Sequence, residues 1–126
     1  MTIITVPELV EKWKMTGDQS FEFITVFRKI GADYSTIKDG VNTGLINLFD
    51  ARFFIIELMR IMETYGFLGM CGFREEYASR FVIFTLFCQL PGVEDEMPTL
   101  NLIFKRSETG EENEVWLKAD TMRLEW

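Results

Sequence analysis

The sequence predicts a single α+β domain, with a layer of about four N-terminal helices packed on a C-terminal antiparallel β-meander. Two patterns support this fold class. Apolar residues recur at intervals of three or four over 6–65, and they alternate with polar residues in the C-terminal third. The 126 residues, 48% of them hydrophobic, are enough to bury one core. We therefore expect residues 1–126 to form one domain.

The first two helices are predicted at 6–16 and 19–30. Thr5 and Glu8 have the spacing of a capping box, and Gly17 follows the predicted end of the first helix. The second segment has apolar residues at helical spacing and ends before a glycine. Both segments therefore have the start and stop signals of amphipathic helices.

The third and fourth helices are predicted at 33–48 and 51–65. Gly40 and Gly44 lie inside the third, and each costs a helix about 1 kcal/mol relative to Ala. They favour close packing against a neighbour, or they break the segment in two. The fourth helix is predicted to be capped by Asp50, and apolar residues surround nearly all of it. Such a helix is typically buried, so it is predicted to form the centre of the core.

The second half of the chain has the pattern of strands. Residues 80–90 are predicted to form a strand buried on both faces, with a buried helix over 74–89 as the alternative. Residues 99–106 and 114–119 alternate clearly and are predicted to form a hairpin with a longer loop. A last short strand is predicted at 122–126.

The acidic charge is concentrated at one end of the chain. Residues 94–126 contain nine acidic and four basic side chains, which makes −5 of the formal net charge of −7. A negative surface disfavours direct binding of nucleic acid or anionic lipid and favours a positively charged protein. The predicted partner-binding residues are Glu94, Asp95, Glu96, Glu108, Glu111, Glu112, Glu114 and Trp116. Trp116 also fits a place in the core.

Catalytic signatures are missing from the sequence. The chain has no histidine, so the commonest general base and the commonest metal ligand are both absent. Cys71 lies among glycines but has no base to activate it, and a buried thiol is the expected structure. Glu57 is expected to form an ion pair with Arg60 or Arg52. We therefore predict no catalytic residues and no enzymatic activity.

No cofactor or metal is expected either. Cys71 and Cys88 have no further soft ligand for zinc, and 107–114 lacks the spacing of an EF-hand calcium loop. Two cysteines are too few for a disulfide framework, and the first residues lack a signal-peptide pattern. The apolar runs are far shorter than a membrane span. A reduced, cytoplasmic protein is the expectation.

Size, charge and the missing catalytic groups predict a small acidic binding protein. Its most concrete form is an immunity or inhibitor protein that neutralises a basic toxin, in particular a nuclease, through the acidic C-terminal hairpin. The alternatives are a phage-encoded inhibitor of a host defence enzyme, a secretion chaperone, and a structural or assembly subunit. An enzyme is a further alternative, and it would need Glu57, Glu75, Glu76 or Cys71 to line a pocket.

Overall fold

The computed structural model describes residues 2–28, 45–65, 71–88, 98–107 and 115–125. In these ranges the helices are α1 (Val6–Lys12), α2 (Gly17–Arg28) and α3 (Leu48–Thr64). The strands are β1 (Thr2–Ile3), β2 (Leu45–Asn47), β3 (Cys71–Ala78), β4 (Phe81–Cys88), β5 (Thr99–Ser107) and β6 (Trp116–Glu125). Helix and strand are roughly equal in content, and the fold is α+β. No helix within these ranges has the length and apolar character needed to cross a membrane.

The strands form one antiparallel sheet. Strands β3, β4, β5 and β6 pair consecutively, so the C-terminal strands form a meander. β1 and β2 both pair with the other side of β6, with β1 beside Arg123 and Leu124 and β2 beside 116–118. The six described strands therefore occupy five positions across the sheet, with β3 at one edge and β1 and β2 sharing the other.

The predicted division into a helical N-terminal half and a C-terminal meander is wrong in two respects. The described ranges contain three helices, not about four, and strands from the N-terminal half complete the sheet. Leu45–Asn47 was predicted as the end of the third helix but is a strand, because its backbone pairs with 116–118 of β6. That partner lies about seventy residues away, beyond the reach of local periodicity. The rest of the predicted helix, 33–44, lies outside the described residues.

The ends of the helices follow from local hydrogen bonds. The predicted cap at Thr5 is confirmed, because the Glu8 amide donates to Thr5 Oγ1 at 3.3 Å. The Glu8 carboxylate accepts from the Thr5 hydroxyl at 2.9 Å, whereas in a full capping box it accepts from the backbone amide of the cap residue. Helix α1 ends earlier than predicted, before Lys14 with its left-handed φ of 51°. The cap predicted for the last helix is wrong. Asn47 caps α3 by accepting from the Phe49 amide at 2.7 Å, and Asp50 lies in the first turn.

The core lies between the helices and one face of the sheet. Edge-to-face aromatic pairs link Phe23 to Phe27 at 5.1 Å and Phe27 to Phe54 at 5.3 Å between ring centroids. The sheet contributes a third such pair, Phe84 with Phe104, at 5.7 Å. The other fully buried side chains include Leu9, Ile55, Leu58, Ile61, Met62, Leu86 and Leu102. Burial of these apolar surfaces is the main stabilising contribution to the fold.

The strand β4 was correctly predicted, and the alternative helix over 74–89 is wrong. The predicted burial on both faces is correct at Thr85, which is 8% exposed on the outer face, but wrong at Phe87. Val82, Phe84 and Leu86 face the helices, whereas on the other face of β4 Phe87 is 38% exposed. On that outer face the Thr85 hydroxyl donates to Asn101 Oδ1 at 2.8 Å. The described helices therefore cover one face of the sheet, as is common in antiparallel sheets.

Candidate functional site

A cleft of about 340 Å³ lies between the N-terminal half of α3 and the edge of the sheet formed by β2 and β6. We call it the α3–β6 cleft. Helix α3 begins directly after β2, and the Leu48 amide donates to the carbonyl of Val115 at 2.8 Å. This short connection holds the start of the helix beside the start of β6. The cleft is lined by Leu45, Ile46, Asn47, Asp50, Phe53, Phe54, Glu57 and Trp116.

The side of α3 that faces the cleft carries two carboxylates and an aromatic ring. Asp50, Phe53 and Glu57 are spaced by three and four residues, so they lie on one side of the helix. Phe53 is 57% exposed, and Trp116 is half-buried on the opposite wall. Carboxylates form ion pairs with Lys and Arg, and aromatic faces attract the same cations. The cleft therefore has the chemistry to receive a basic side chain.

A second groove, of about 420 Å³, continues along the same helix between α2 and α3. Glu57 lines both this groove and the α3–β6 cleft, so the two are adjacent. The groove adds the carboxylates of Asp18 and Glu22 and the ring of Phe21, which is 68% exposed. Acidic and exposed aromatic side chains thus extend along this side of α3 from the cleft into the groove.

The groove is held together by a network around Glu22. Arg60 Nη2 donates to Glu22 Oε1 at 3.0 Å, and the Tyr65 hydroxyl donates to Glu22 Oε2. The hydrogen bond from Tyr65 and that from Arg60 lower the pKa of Glu22, and the same contact with Glu22 raises the pKa of Tyr65. Glu22 is therefore ionised at neutral pH and joins α2 to α3.

A second network joins α3 to β3. Arg52 donates from Nε and Nη2 to the two oxygens of Glu75 at 2.8 and 2.9 Å, and the Tyr77 hydroxyl donates to the same carboxylate. These hydrogen bonds lower the pKa of Glu75, and the bonds from Arg52 have the largest effect. A general acid needs a raised pKa, so Glu75 is unsuited to that role at neutral pH.

Glu57, Glu75 and Glu76 do not converge on one site. Glu57 lines the two clefts on α3, Glu76 lines a groove on the outer face of the sheet, and Glu75 is bound by Arg52. The side chain of Cys71 lies outside what the structure describes. The described part of the chain also contains no group of three or more Cys, Asp or Glu side chains placed to hold a metal ion.

Most of the predicted partner-binding residues cannot be compared with the structure. Glu94, Asp95, Glu96, Glu108, Glu111, Glu112 and Glu114 lie in 89–97 and 108–114, outside the described residues. Trp116 is described, and it lines the α3–β6 cleft. The acidic segment 108–114 immediately precedes Val115 and Trp116 in the chain. The role of the eight predicted residues in binding a partner stays a prediction.

No protein-family model, curated protein or solved structure matches this chain. The chemistry of the α3–β6 cleft is therefore the basis for a functional assignment. Sequence reasoning missed two residues of this cleft, because Asp50 was interpreted as a helix cap and Phe53 as part of the core. The spacing of Asp50, Phe53 and Glu57 on one helix side is the signal that could have indicated them.

Replacing Glu75 with Gln is expected to reduce the acid sensitivity of the fold. The pKa of Glu75 in the folded protein is below its ordinary 4.5. The Glu75 carboxylate therefore stabilises the fold fully above about pH 4.5, and this stabilisation is lost as pH falls through the lower, folded-state pKa. The contribution is about 1 kcal/mol, since Arg52 is 43% exposed and solvent screens the pair. Urea unfolding at pH 7 and pH 3 measures it.

The matched control is Glu76→Gln, on the outer face of the same strand, where the side chain is 49% exposed. We expect Glu75→Gln to lower the free energy of unfolding at pH 7 and to reduce the difference in that free energy between pH 7 and pH 3. Glu76 forms its own, more exposed ion pair with Arg74 at 3.2 Å, so equal behaviour of the two variants would show that the Arg52 contact contributes no more than this surface pair.

Proposed function

We propose that this chain is a small cytoplasmic protein that binds a basic protein partner, most specifically an immunity or inhibitor protein that neutralises a cationic toxin nuclease. One observation carries the proposal. In the α3–β6 cleft, Asp50 and Glu57 flank the exposed ring of Phe53 opposite Trp116. Nuclease active sites are positively charged because they bind phosphates, and an inhibitor with carboxylates gains both encounter rate and selectivity there.

The solvent-exposed side of α3 supplies the apolar centre that such an interface needs. Phe49, Phe53 and Ile56 follow one another at intervals of four and three residues and are 61%, 57% and 51% exposed. The rings of Phe49 and Phe53 contact each other edge to face, with centroids 5.0 Å apart. Aromatic side chains at the centre of an interface, surrounded by charged groups, typically provide most of the binding energy.

The charges beside this apolar stripe favour a basic occupant. Asp50 and Glu57 lie along one flank, and the acidic segment 108–114 precedes Trp116 in the chain. In the proposal, Glu108, Glu111, Glu112 and Glu114 add to the negative potential around the cleft. Glu94, Asp95 and Glu96 precede Thr99, which pairs with Glu125 at the other end of β6 from Trp116, so they would contact the partner outside the cleft. The partner's Lys and Arg side chains would pair with these carboxylates while its apolar groups cover the stripe on α3.

Charge reversal of the hairpin tests the electrostatic part of the proposal. The variant Glu111→Lys, Glu112→Lys, Glu114→Lys is expected to weaken binding about 100-fold at roughly 50 mM salt, and much less at roughly 300 mM, because salt screens the attraction. The protein tested as partner is the purified product of the reading frame directly upstream of the gene for this chain, where the toxin of an immunity protein would be encoded. Its affinity is measured by isothermal titration calorimetry. The control reverses Glu11, Glu76 and Glu125, which are exposed on other elements, away from α3. A flat salt response and equal affinities for both variants contradict the charge argument.

Inhibition is tested separately from binding. The neighbouring product is assayed for cleavage of plasmid DNA with and without an equimolar amount of this chain. Immunity predicts that cleavage stops and that a bacterial host expressing the nuclease survives when this chain is co-expressed. A partner that binds but stays active contradicts the inhibitor assignment and favours the secretion-chaperone alternative.

A further inference from the structure

The strand β3 is an eight-residue edge of the sheet. It pairs along its whole length with β4, and among the described residues no strand lies on its other side. An edge strand presents a row of backbone N–H and C=O groups that can pair with another strand. The opposite edge is divided between β1 and β2, which are only two and three residues long. The longest described edge for strand addition is therefore β3.

The register with β4 assigns the side chains of β3 to two faces. Phe73, Glu75 and Tyr77 stand opposite the buried Leu86, Phe84 and Val82, on the face that packs against the helices. Arg74 and Glu76 alternate with them and line a groove on the outer face. Tyr77 is 55% exposed, and Phe73 is half-buried. The edge thus offers an aromatic row on one face and a charged row on the other.

These residues are arranged symmetrically about Glu75. Phe73 and Tyr77 lie two positions to either side of it, and Arg74 and Glu76 lie one position to either side. In an antiparallel pair of two copies related by a two-fold axis at Glu75, Arg74 of one copy stands opposite the partner's Glu76, and this happens twice. Phe73 stands opposite the partner's Tyr77, also twice. Such opposite-charge and aromatic cross-strand pairs stabilise antiparallel sheets.

Neighbouring registers lack this complementarity. A two-fold axis at Arg74 would place two arginines opposite each other, and an axis at Glu76 would place two glutamates opposite each other, which is destabilising. The axis at Glu75 also places two carboxylates opposite each other, but each is bound by its own Arg52 at 2.8 and 2.9 Å. The charge pattern therefore selects the register centred on Glu75.

We propose that β3 binds a second copy of this chain, antiparallel and centred on Glu75, to form a two-fold symmetric dimer with one continuous sheet. The contact is isologous, because the same edge is used by both copies. The α3–β6 cleft lies at the opposite edge of the sheet, beside β2 and β6. Dimerisation through β3 therefore uses none of the residues that line the cleft, so each proposal can fail without the other.

A charge swap tests the dimer. The full chain is examined by sedimentation equilibrium from about 1 μM to 1 mM, a range that covers weak association. Arg74→Glu and Glu76→Arg are each expected to weaken dimerisation about tenfold, because each places like charges opposite each other twice. Each also replaces the ion pair that Arg74 and Glu76 form within β3, at 3.2 Å, with two like charges. The double variant R74E/E76R restores both pairs across the two-fold axis and is expected to dimerise like the natural chain. Circular dichroism confirms that all variants are folded.

Lys118→Glu is the control, because Lys118 is exposed on β6 and its reversal changes the net charge by the same amount as Arg74→Glu. It is expected to leave dimerisation unchanged. Amide hydrogen exchange gives a second readout, since protection of 71–78 is expected to rise with protein concentration. A monomer mass over the whole range, or failure of the double variant to restore association, overturns the proposal.

Discussion

Truncation of Phe54 to Ala is expected to destabilise the protein by about 3–5 kcal/mol, because removal of a buried aromatic ring leaves a cavity in addition to the lost burial. Phe54 is 4% exposed, and its ring contacts Phe27 edge to face at 5.3 Å. Phe27 in turn contacts Phe23, so the loss interrupts the aromatic contacts between α2 and α3. Urea unfolding at pH 7 measures the change in the free energy of unfolding.

The adjacent Phe53 provides a matched control for this measurement. It is the same residue type, one position earlier in the same helix, but it is 57% exposed. Phe53→Ala is expected to change stability by less than about 0.5 kcal/mol, since exposed substitutions seldom cost more. Ile55→Ala and Ile56→Ala repeat the comparison, with exposures of 0% and 51%. Similar costs within either pair would contradict the orientation of α3.

The second large effect is expected in binding. If Phe53 is at the centre of the proposed interface, Phe53→Ala lowers affinity for the basic partner about 30-fold, the size typical of a hot-spot aromatic residue. Trp116→Ala is expected to act in the same direction, because Trp116 forms the facing wall of the α3–β6 cleft. The affinity is measured by isothermal titration with the purified product of the neighbouring reading frame.

Phe87→Ala is the control for binding, because Phe87 is exposed on the outer face of the sheet, away from α3. It is expected to leave the affinity unchanged. Equal losses for Phe53→Ala and Phe87→Ala would indicate a general effect on the protein surface. Unchanged affinity in both Phe53→Ala and Trp116→Ala would remove the cleft from the interface.

The helix α3 shows where sequence reasoning succeeded and where it failed. Its existence was predicted, because a long apolar segment and a following glycine are typical of a helix. It was predicted to be buried on nearly all sides, but the buried side is formed by residues such as Phe54, Leu58 and Ile61, and the side with Phe49, Phe53 and Ile56 is exposed. The apolar content of a helix does not indicate which of its sides is buried. Which side meets the core depends on the elements that pack against it.

The strands show a similar division. The alternation in 99–106 correctly predicted β5, with Leu100, Leu102 and Phe104 buried on one face. The two segments predicted at 114–119 and 122–126 form one strand, β6. The strand β3 was not predicted, because its charged residues obscure the apolar alternation. Arg52 on α3 neutralises Glu75 on the helix-facing side, which a local pattern cannot indicate.

The candidate site depended on tertiary structure even more. The acidic C-terminal end was visible in the sequence, and it directed attention to the hairpin and to Trp116. The sequence did not indicate the other wall of the cleft, formed by Asp50, Phe53 and Glu57. These residues lie about sixty positions before Trp116 in the chain. Only the pairing of β2 with β6 brings the two walls together.

The sequence by itself determined the α+β class, the antiparallel meander, the helix cap at Thr5 and the excess of acidic residues near the C terminus. Each of these follows from interactions between residues close in the chain, or from composition. The tertiary structure decided which side of α3 is buried, that β1 and β2 join β6, and where the α3–β6 cleft lies. These features depend on hydrogen bonds and burial between distant segments, and such contacts form only when the whole chain has packed.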